Sequence, residues 1–403
     1  VDPHVHMELP VAGTVSSDDF ETGTAAGLAG GTTSIVDFVH PERGQSFLEA
    51  LAERRAEADK AVADYGLHMA VTWWGDGSAA GMADCVAAGV PSFKIYMAYK
   101  ATVGLEDDDL AAVMQTAAAV DGMLLVHAEI GDEIEALRDR FVADGKTEPR
   151  YHALSRPARL EGEATARAAA MAGAAGARLY VVHVTCRESV EAIAAAQAQG
   201  FRVTGETCPQ YLLLDESVYD LPDFEGAAYV IAPPIRHREH QEVLWSALED
   251  GTLEIVATDH CPFHFAGQKE MGREDFRLIP GGAPGIENRL ALVYTHGVVR
   301  GRFSNEHFVD VVSTTPAKRF GLYPRKGSLS VGSDADLVLW DPAATATVSA
   351  ATHRHRCDRS IYEGFEVTGQ PAIVIAGGEV RYRLGDLQVE RGAGRFLGRH
   401  RDQ

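Results

Sequence analysis

Residues 179–206, LYVVHVTCRESVEAIAAAQAQGFRVTGE, decide the fold. An apolar run ending in His183 gives way to an Ala- and Glu-rich amphipathic stretch, and a second run, 202–206, follows. A parallel neighbour cannot be reached by a tight turn and needs a crossover of about a dozen residues, commonly a helix, so this spacing reads as strand, helix, strand. The same texture recurs on both sides. Further runs lie at 1–6, 33–38, 67–72, 92–96, 123–127 and 253–258, and helical patterns fill most gaps, as at 47–63, 105–119 and 161–174. Eight such units predict an α/β fold, a (β/α)8 TIM-type barrel, whose reactive groups sit at the carboxyl ends of the strands.

Beyond about Arg325 the sequence becomes Gly-punctuated and β-rich, in 327–342 and 372–382. The division expected is therefore a barrel over 1–325 and a small β portion with a tail over 326–403. Bulk properties narrow the partners. The 403 residues carry a formal charge of -21, which repels phosphate backbones and anionic lipid heads and argues against nucleic-acid or membrane partners. Five scattered cysteines without a C-x-x-C pair argue against a disulfide framework and point to a reducing, cytoplasmic setting. The most apolar stretch, 168–184, is interrupted by Arg178 and reads as a helix followed by a buried strand, not a membrane span.

Metal-ligand residue types converge on the predicted strand ends: His4 and His6 on the first, Lys94 on the fourth, His127 on the fifth, His183 on the sixth and Asp259 just past the eighth. An H-x-H on a strand points both imidazoles to one face, because side-chain direction repeats every two residues. Spacing alone is weak, since 16 histidines in 403 residues give about 0.6 such pairs by chance. His353 and His355 form a second pair in an Arg-rich, non-strand context, read as surface or structural. A lysine aimed into a barrel mouth is costly unless neutralised or paired. For Lys94, reaction with CO2 gives an anionic carbamate able to bridge two cations, against the plainer reading of a salt-bridged lysine. Asp259 suits metal ligation and proton transfer, against a helix N-cap. His260 and Cys261 are read as supporting or packing residues.

These residues sit in VDPHVH, GGTTSIVDF, SFKIYMAYK, the HAE run from His127, HVTC from His183, GETCPQYL, ATDHCPF and GSDADLVLWDP. In that order, through nearly the whole chain, they resemble the hydantoinase and dihydropyrimidinase family of the amidohydrolase superfamily. The resemblance implies two Zn2+ per subunit. His4, His6 and Asp259 would hold one and His127 and His183 the other, with N6-carboxylated Lys94 and a hydroxide between them. It implies that Tyr99 polarises the substrate carbonyl, against a packed barrel aromatic, and that backbone at Ala232 and Asn288 reads the ring. Ala232 stands where the family usually has serine, so a hydroxyl contribution is lost.

Residues 7–14, MELPVAGT, resemble the family's first substrate-gating loop, against an ordinary surface loop. Dihydroorotases carry an arginine two positions after the H-x-H; here Glu8 stands there and is expected to repel an anion. The family's small β-sandwich draws strands from before and after the barrel. With the sequence starting at Val1, the expectation is a sandwich short of strands and an exposed edge or apolar patch. The implied function is hydrolysis of the ring amide of hydantoins or dihydropyrimidines to N-carbamoyl amino acids, by a homotetramer acting on a small cyclic ureide. The rivals are allantoinase or another cyclic-ureide or imide hydrolase, dihydroorotase, a mononuclear deaminase, and a non-catalytic hydantoinase-like scaffold.

Overall fold

The computed structural model describes residues 1–399. Seven strands, Ser34–Val39, Asp64–Ala70, Ser92–Tyr96, Met123–His127, Arg178–Val181, Val203–Thr207 and Ile255–Val256, lie in sequence order in one parallel sheet. The Ser34–Val39, Asp64–Ala70 and Met123–His127 strands are buried throughout, as parallel strands covered by helices must be. The eighth unit is the segment 1–6. It closes the barrel through parallel bridges, Asp2 to Ile35 on one side and Val5 to His260 on the other. Backbone bonds from Asp2 N to Ser34 O (2.9 Å) and from His6 N to His260 O (2.7 Å) complete the ring.

Helices Phe20–Ala29, Phe47–Ala58, Ser78–Ala87, Asp107–Ala119, Ala158–Ala175 and Arg187–Ala198 pack outside. The helix expected over 47–63 stops at Ala58, because the next residues are committed elsewhere. Val62 N donates to Thr24 Oγ1 (2.9 Å), and Ala61 O accepts from Gly394 N (2.8 Å). The strand expected at 67–72 starts earlier, at Asp64. That carboxylate accepts from Lys326 Nζ (2.8 Å) and from Arg395.

In the C-terminal portion, Leu337–Thr347, Glu366–Ala376, Glu379–Arg383 and Asp386–Leu387 form an antiparallel meander. Among the described residues these strands form one four-stranded sheet, in keeping with the expected sandwich short of strands. Its Val374 and Ala376 pack on Leu28, Val62 and Ala63 of the barrel wall. Among the described residues Leu337–Thr347 is bonded on one side only, and Leu329, Val331 and Leu339 are exposed. The chain then returns to the amino ends of the strands, where buried Arg399 donates to Ser92 Oγ (2.8 Å) and to Leu67 O. Residues 400–403 of the expected C-terminal portion lie outside the described residues. All five cysteines are free and buried. Among the described residues, no helix is long and apolar enough to cross a membrane.

Candidate active site

At the carboxyl ends of the strands a cavity of about 780 Å³ opens, and His4, His6, Lys94, His127, His183 and Asp259 all line it. Two clusters of electron-pair donors form its floor. In the first, His4 Nε2 and His6 Nε2 lie 3.3 Å apart, and Asp259 Oδ1 lies 3.2 Å from the one and 3.1 Å from the other. In the second, His127 Nδ1 faces His183 Nε2 at 3.0 Å.

Two buried carboxylates fix the tautomers. Glu206 accepts from His4 Nδ1 and, at 2.5 Å, from Tyr180 Oη, so His4 presents a bare Nε2 to the first cluster. Glu129 Oε2 accepts from His127 Nε2 at 2.7 Å and also pairs with Arg156, so His127 presents a bare Nδ1 to the second. Neither carboxylate was assigned a role from the sequence. Glu206 ends a predicted strand and Glu129 stands in the HAE run, but the contact from Glu206 to His4 spans 202 positions.

Protonation favours ligation. Burial lowers the pKa of His6 and of His127, and lowers that of His183 well below the usual imidazole value, leaving the rings neutral near pH 7. Burial opposes ionisation of Asp259, but His4 and His6 outweigh it and hold the carboxyl well below its ordinary range. Burial likewise opposes ionisation of Glu129, and Arg156 and His127 overcome it, bringing its pKa down to about 2.

Lys94 is 1% exposed, and among the described residues no hydrogen bond or ion pair reaches its Nζ. The amine lies 5.2 Å from the Phe38 ring centroid and 5.3 Å from that of Tyr96. Burial pushes its pKa down to about 8. The salt-bridged reading of this lysine therefore finds no partner among the described residues.

The donor set fits divalent metal. Nitrogens of four imidazoles and a carboxylate oxygen converge in two groups, and among the described residues no protein cation is bonded to them. His4, His6 and Asp259 form a three-residue group whose ligand atoms lie within 4.8 Å of one another. Backbone strain concentrates here too: Tyr99, His183 and Asp259 have φ of 61°, 41° and 53°, in the left-handed region that L side chains rarely adopt. No helix starts at Asp259, so the N-cap alternative falls away.

The walls complete the picture. The Tyr99 ring stands 5.2 Å from that of His127, with Arg156 Cζ 5.2 Å from its centroid. Burial raises the Tyr99 pKa, so the phenol stays a donor. Leu9, Pro10, Val11 and Ala12 of the 7–14 loop form an apolar face, and Ala232 and Cys261 also line the cavity.

Asn288 does not line it. This residue starts the helix Arg289–Val293, accepts from Leu292 N, and has a buried Oδ1 without a partner; Gly281 and Gly282 reach the cavity in its place. Glu8 is also absent from the lining and pairs with Lys60 at 2.8 Å, so it does not face the cavity as an unpaired charge. His260 is supporting: its Nε2 lies 3.1 Å from Asp18 Oδ2 and its Nδ1 accepts from Gly285 N. His353 and His355 bond to each other, to Cys357 O and to Glu287 N, a structural knot away from the cavity.

Residues 1–381 match the amidohydrolase family. The chain is 45% identical to a D-hydantoinase of Geobacillus stearothermophilus over 99% of its own length and 85% of that protein. It is 40% identical to a dihydropyrimidinase of Rattus norvegicus, over 99% and 78%. The crystal structure of a dihydropyrimidinase from Brevibacillus agri superposes with a TM-score of 0.98 at 46% identity, covering 99% of this chain and 87% of the other. An L-hydantoinase from Arthrobacter aurescens gives 0.88 at 32%, with the same coverage. The fold is that of the amidohydrolase family, whose members are generally metal-dependent. Within that class the chain belongs to the hydantoinase and dihydropyrimidinase family, hydrolases that act on carbon–nitrogen bonds in cyclic amides.

Proposed function

We propose that this protein hydrolyses the ring amide of a five- or six-membered cyclic ureide, a hydantoin or dihydropyrimidine, to the N-carbamoyl amino acid. The observation that carries the reading is the pair of donor clusters on one cavity floor, with the unpartnered Lys94 amine lining the same space. His4, His6 and Asp259 would hold one zinc and His127 and His183 the other. The Lys94 amine, which burial pushes toward its neutral form, would add to CO2 and lose a proton, and the resulting carbamate would supply anionic oxygen ligands beside both clusters. When bound, the metal pair supplies a water activated near neutral pH and Lewis-acid polarisation of the carbonyl.

The protein's own groups do the rest. Tyr99 Oη donates to the ring carbonyl oxygen as negative charge grows on it. Asp259 Oδ1 is taken up by the histidine contacts, which leaves Oδ2 to accept the proton of the attacking water and return it to the departing ring nitrogen. Water adds, one C–N bond breaks, the nitrogen gains a proton and the carbonyl carbon becomes a carboxylate. The apolar 9–12 face would hold the substituent on the ring carbon. We further assign the chemistry to 1–325 and the small β portion to 326–403.

The test is a rate panel of dihydrouracil, hydantoin, 5-substituted hydantoins in both enantiomers and allantoin on metal-loaded protein, with ring opening followed directly. Turnover of hydantoin or dihydrouracil, with product identified as the N-carbamoyl acid, is expected. Preference for allantoin would favour the rival reading, and inertness toward every ring would overturn the proposal. Glu206 gives a second check. Glu206→Gln removes the charge that orients His4 and should weaken metal binding by about ten- to a hundredfold, read by competition with a chelator. Unchanged affinity would remove that role from Glu206.

A further inference from the structure

We propose that Lys269, which is not among the residues lining the cavity, is a positioning residue that clamps together the two backbone segments against which the substrate ring docks. The inference rests on the cyclic-ureide reading. Lys269 opens the helical turn Lys269–Gly272 and is 2% exposed. Its Nζ donates to the carbonyls of Val230, Pro280 and Gly282, each at 2.8 Å. Those three acceptors use every donor of an ammonium. Among the described residues no carboxylate pairs with it; the nearest aromatic partner is Phe263, whose centroid lies 5.6 Å away. Burying an ammonium without a counter-ion is expensive, and an apolar side chain would fill the same space without that cost. What the ammonium adds is the gathering of three carbonyls from two distant stretches of chain.

Both stretches are cavity wall. Ala232 follows Val230 by two residues, Gly281 lies between Pro280 and Gly282, and both line the cavity. Among the described residues, no hydrogen bond engages the backbone N–H or carbonyl of either Ala232 or Gly281. Gly281 also has open space where a Cβ would stand. These free main-chain groups suit the alternating N–H and C=O of a ureide ring. Neither residue has a side chain able to anchor its own backbone, so the spacing between the two sets of groups depends on what lies behind them. Gly282 N to Val230 O (3.0 Å) is one tie, and the Lys269 ammonium is the other. Tyr99 O accepts from the amides of Thr102, Val103 and Gly104, and Asp259 N donates to His4 O (3.0 Å), anchors separate from the clamp even though Cys261 N meets Ala283 O (3.0 Å) beside it. Loss of the clamp should therefore cost ring binding and leave the chemical step in place.

The test compares zinc-loaded Lys269→Met, similar in length but without donors, with wild type on hydantoin and dihydrouracil. KM should rise about tenfold while kcat stays within about threefold and zinc content is unchanged. Lys269→Gln, which restores a donor, should fall between, and it decides the matter alone if the Met variant does not fold. A variant that melts lower yet keeps the wild-type KM would reduce Lys269 to general stability and overturn the proposal. So would a fall in kcat with KM unchanged. The wild-type rate tests the parent reading by itself, and the variant-to-wild-type ratio tests the clamp on whichever ring is opened.

Discussion

Lys94→Ala should give a folded barrel that opens the ring at least about a thousandfold more slowly and holds no more than one zinc tightly, because the group proposed to join the clusters is gone. The expectation follows from what surrounds the amine. It is 1% exposed, faces the rings of Phe38 and Tyr96, and among the described residues pairs with no counter-ion, so it contributes little to folding as a charge. A carbamate carbon resonance should appear in wild type supplied with carbon-13-labelled bicarbonate and be missing from the variant. Turnover retained by Lys94→Ala would remove the lysine from the site.

Asp259→Asn should lower kcat by about a thousandfold with a much smaller change in KM, since a neutral amide can still offer an oxygen but cannot carry the proton to the leaving nitrogen. The structure supports that split. His4 and His6 keep the carboxyl strongly acidic and engage one oxygen, while the backbone at this residue sits at a φ of 53°, a posture fixed by its surroundings. Burst kinetics on a chromogenic cyclic amide would show whether the lost step is chemistry. Equal losses in kcat and in metal content would instead make Asp259 a ligand only.

Much of this was legible in the sequence, for a physical reason. Strand interiors of a parallel sheet are apolar and their exits are polar, so runs such as LYVVH announce both the strand and the residue it presents. The segment 1–6 was equally readable, although its pairing is reduced to bridges at Asp2 and Val5. Properties set by distant partners were hidden. Ala61 and Val62 looked helical until the Gly394 amide and the Thr24 hydroxyl claimed them. Glu206 looked like an ordinary strand end because nothing local signals its bond to His4. The family resemblance pointed to the backbone of Asn288, whereas the cavity wall includes Gly281, which has no side chain to signal a role. Lys269 sits in a loop whose composition gives no hint that three carbonyls surround it.

Two clusters, His4 with His6 and Asp259, and His127 with His183, are proposed each to hold a metal ion. Elemental analysis of the purified protein, set against its protein concentration, tests that claim directly. Roughly two zinc equivalents per chain are expected, falling to roughly one in His127→Ala. A fully active wild-type protein containing a single metal, or none, would contradict the account.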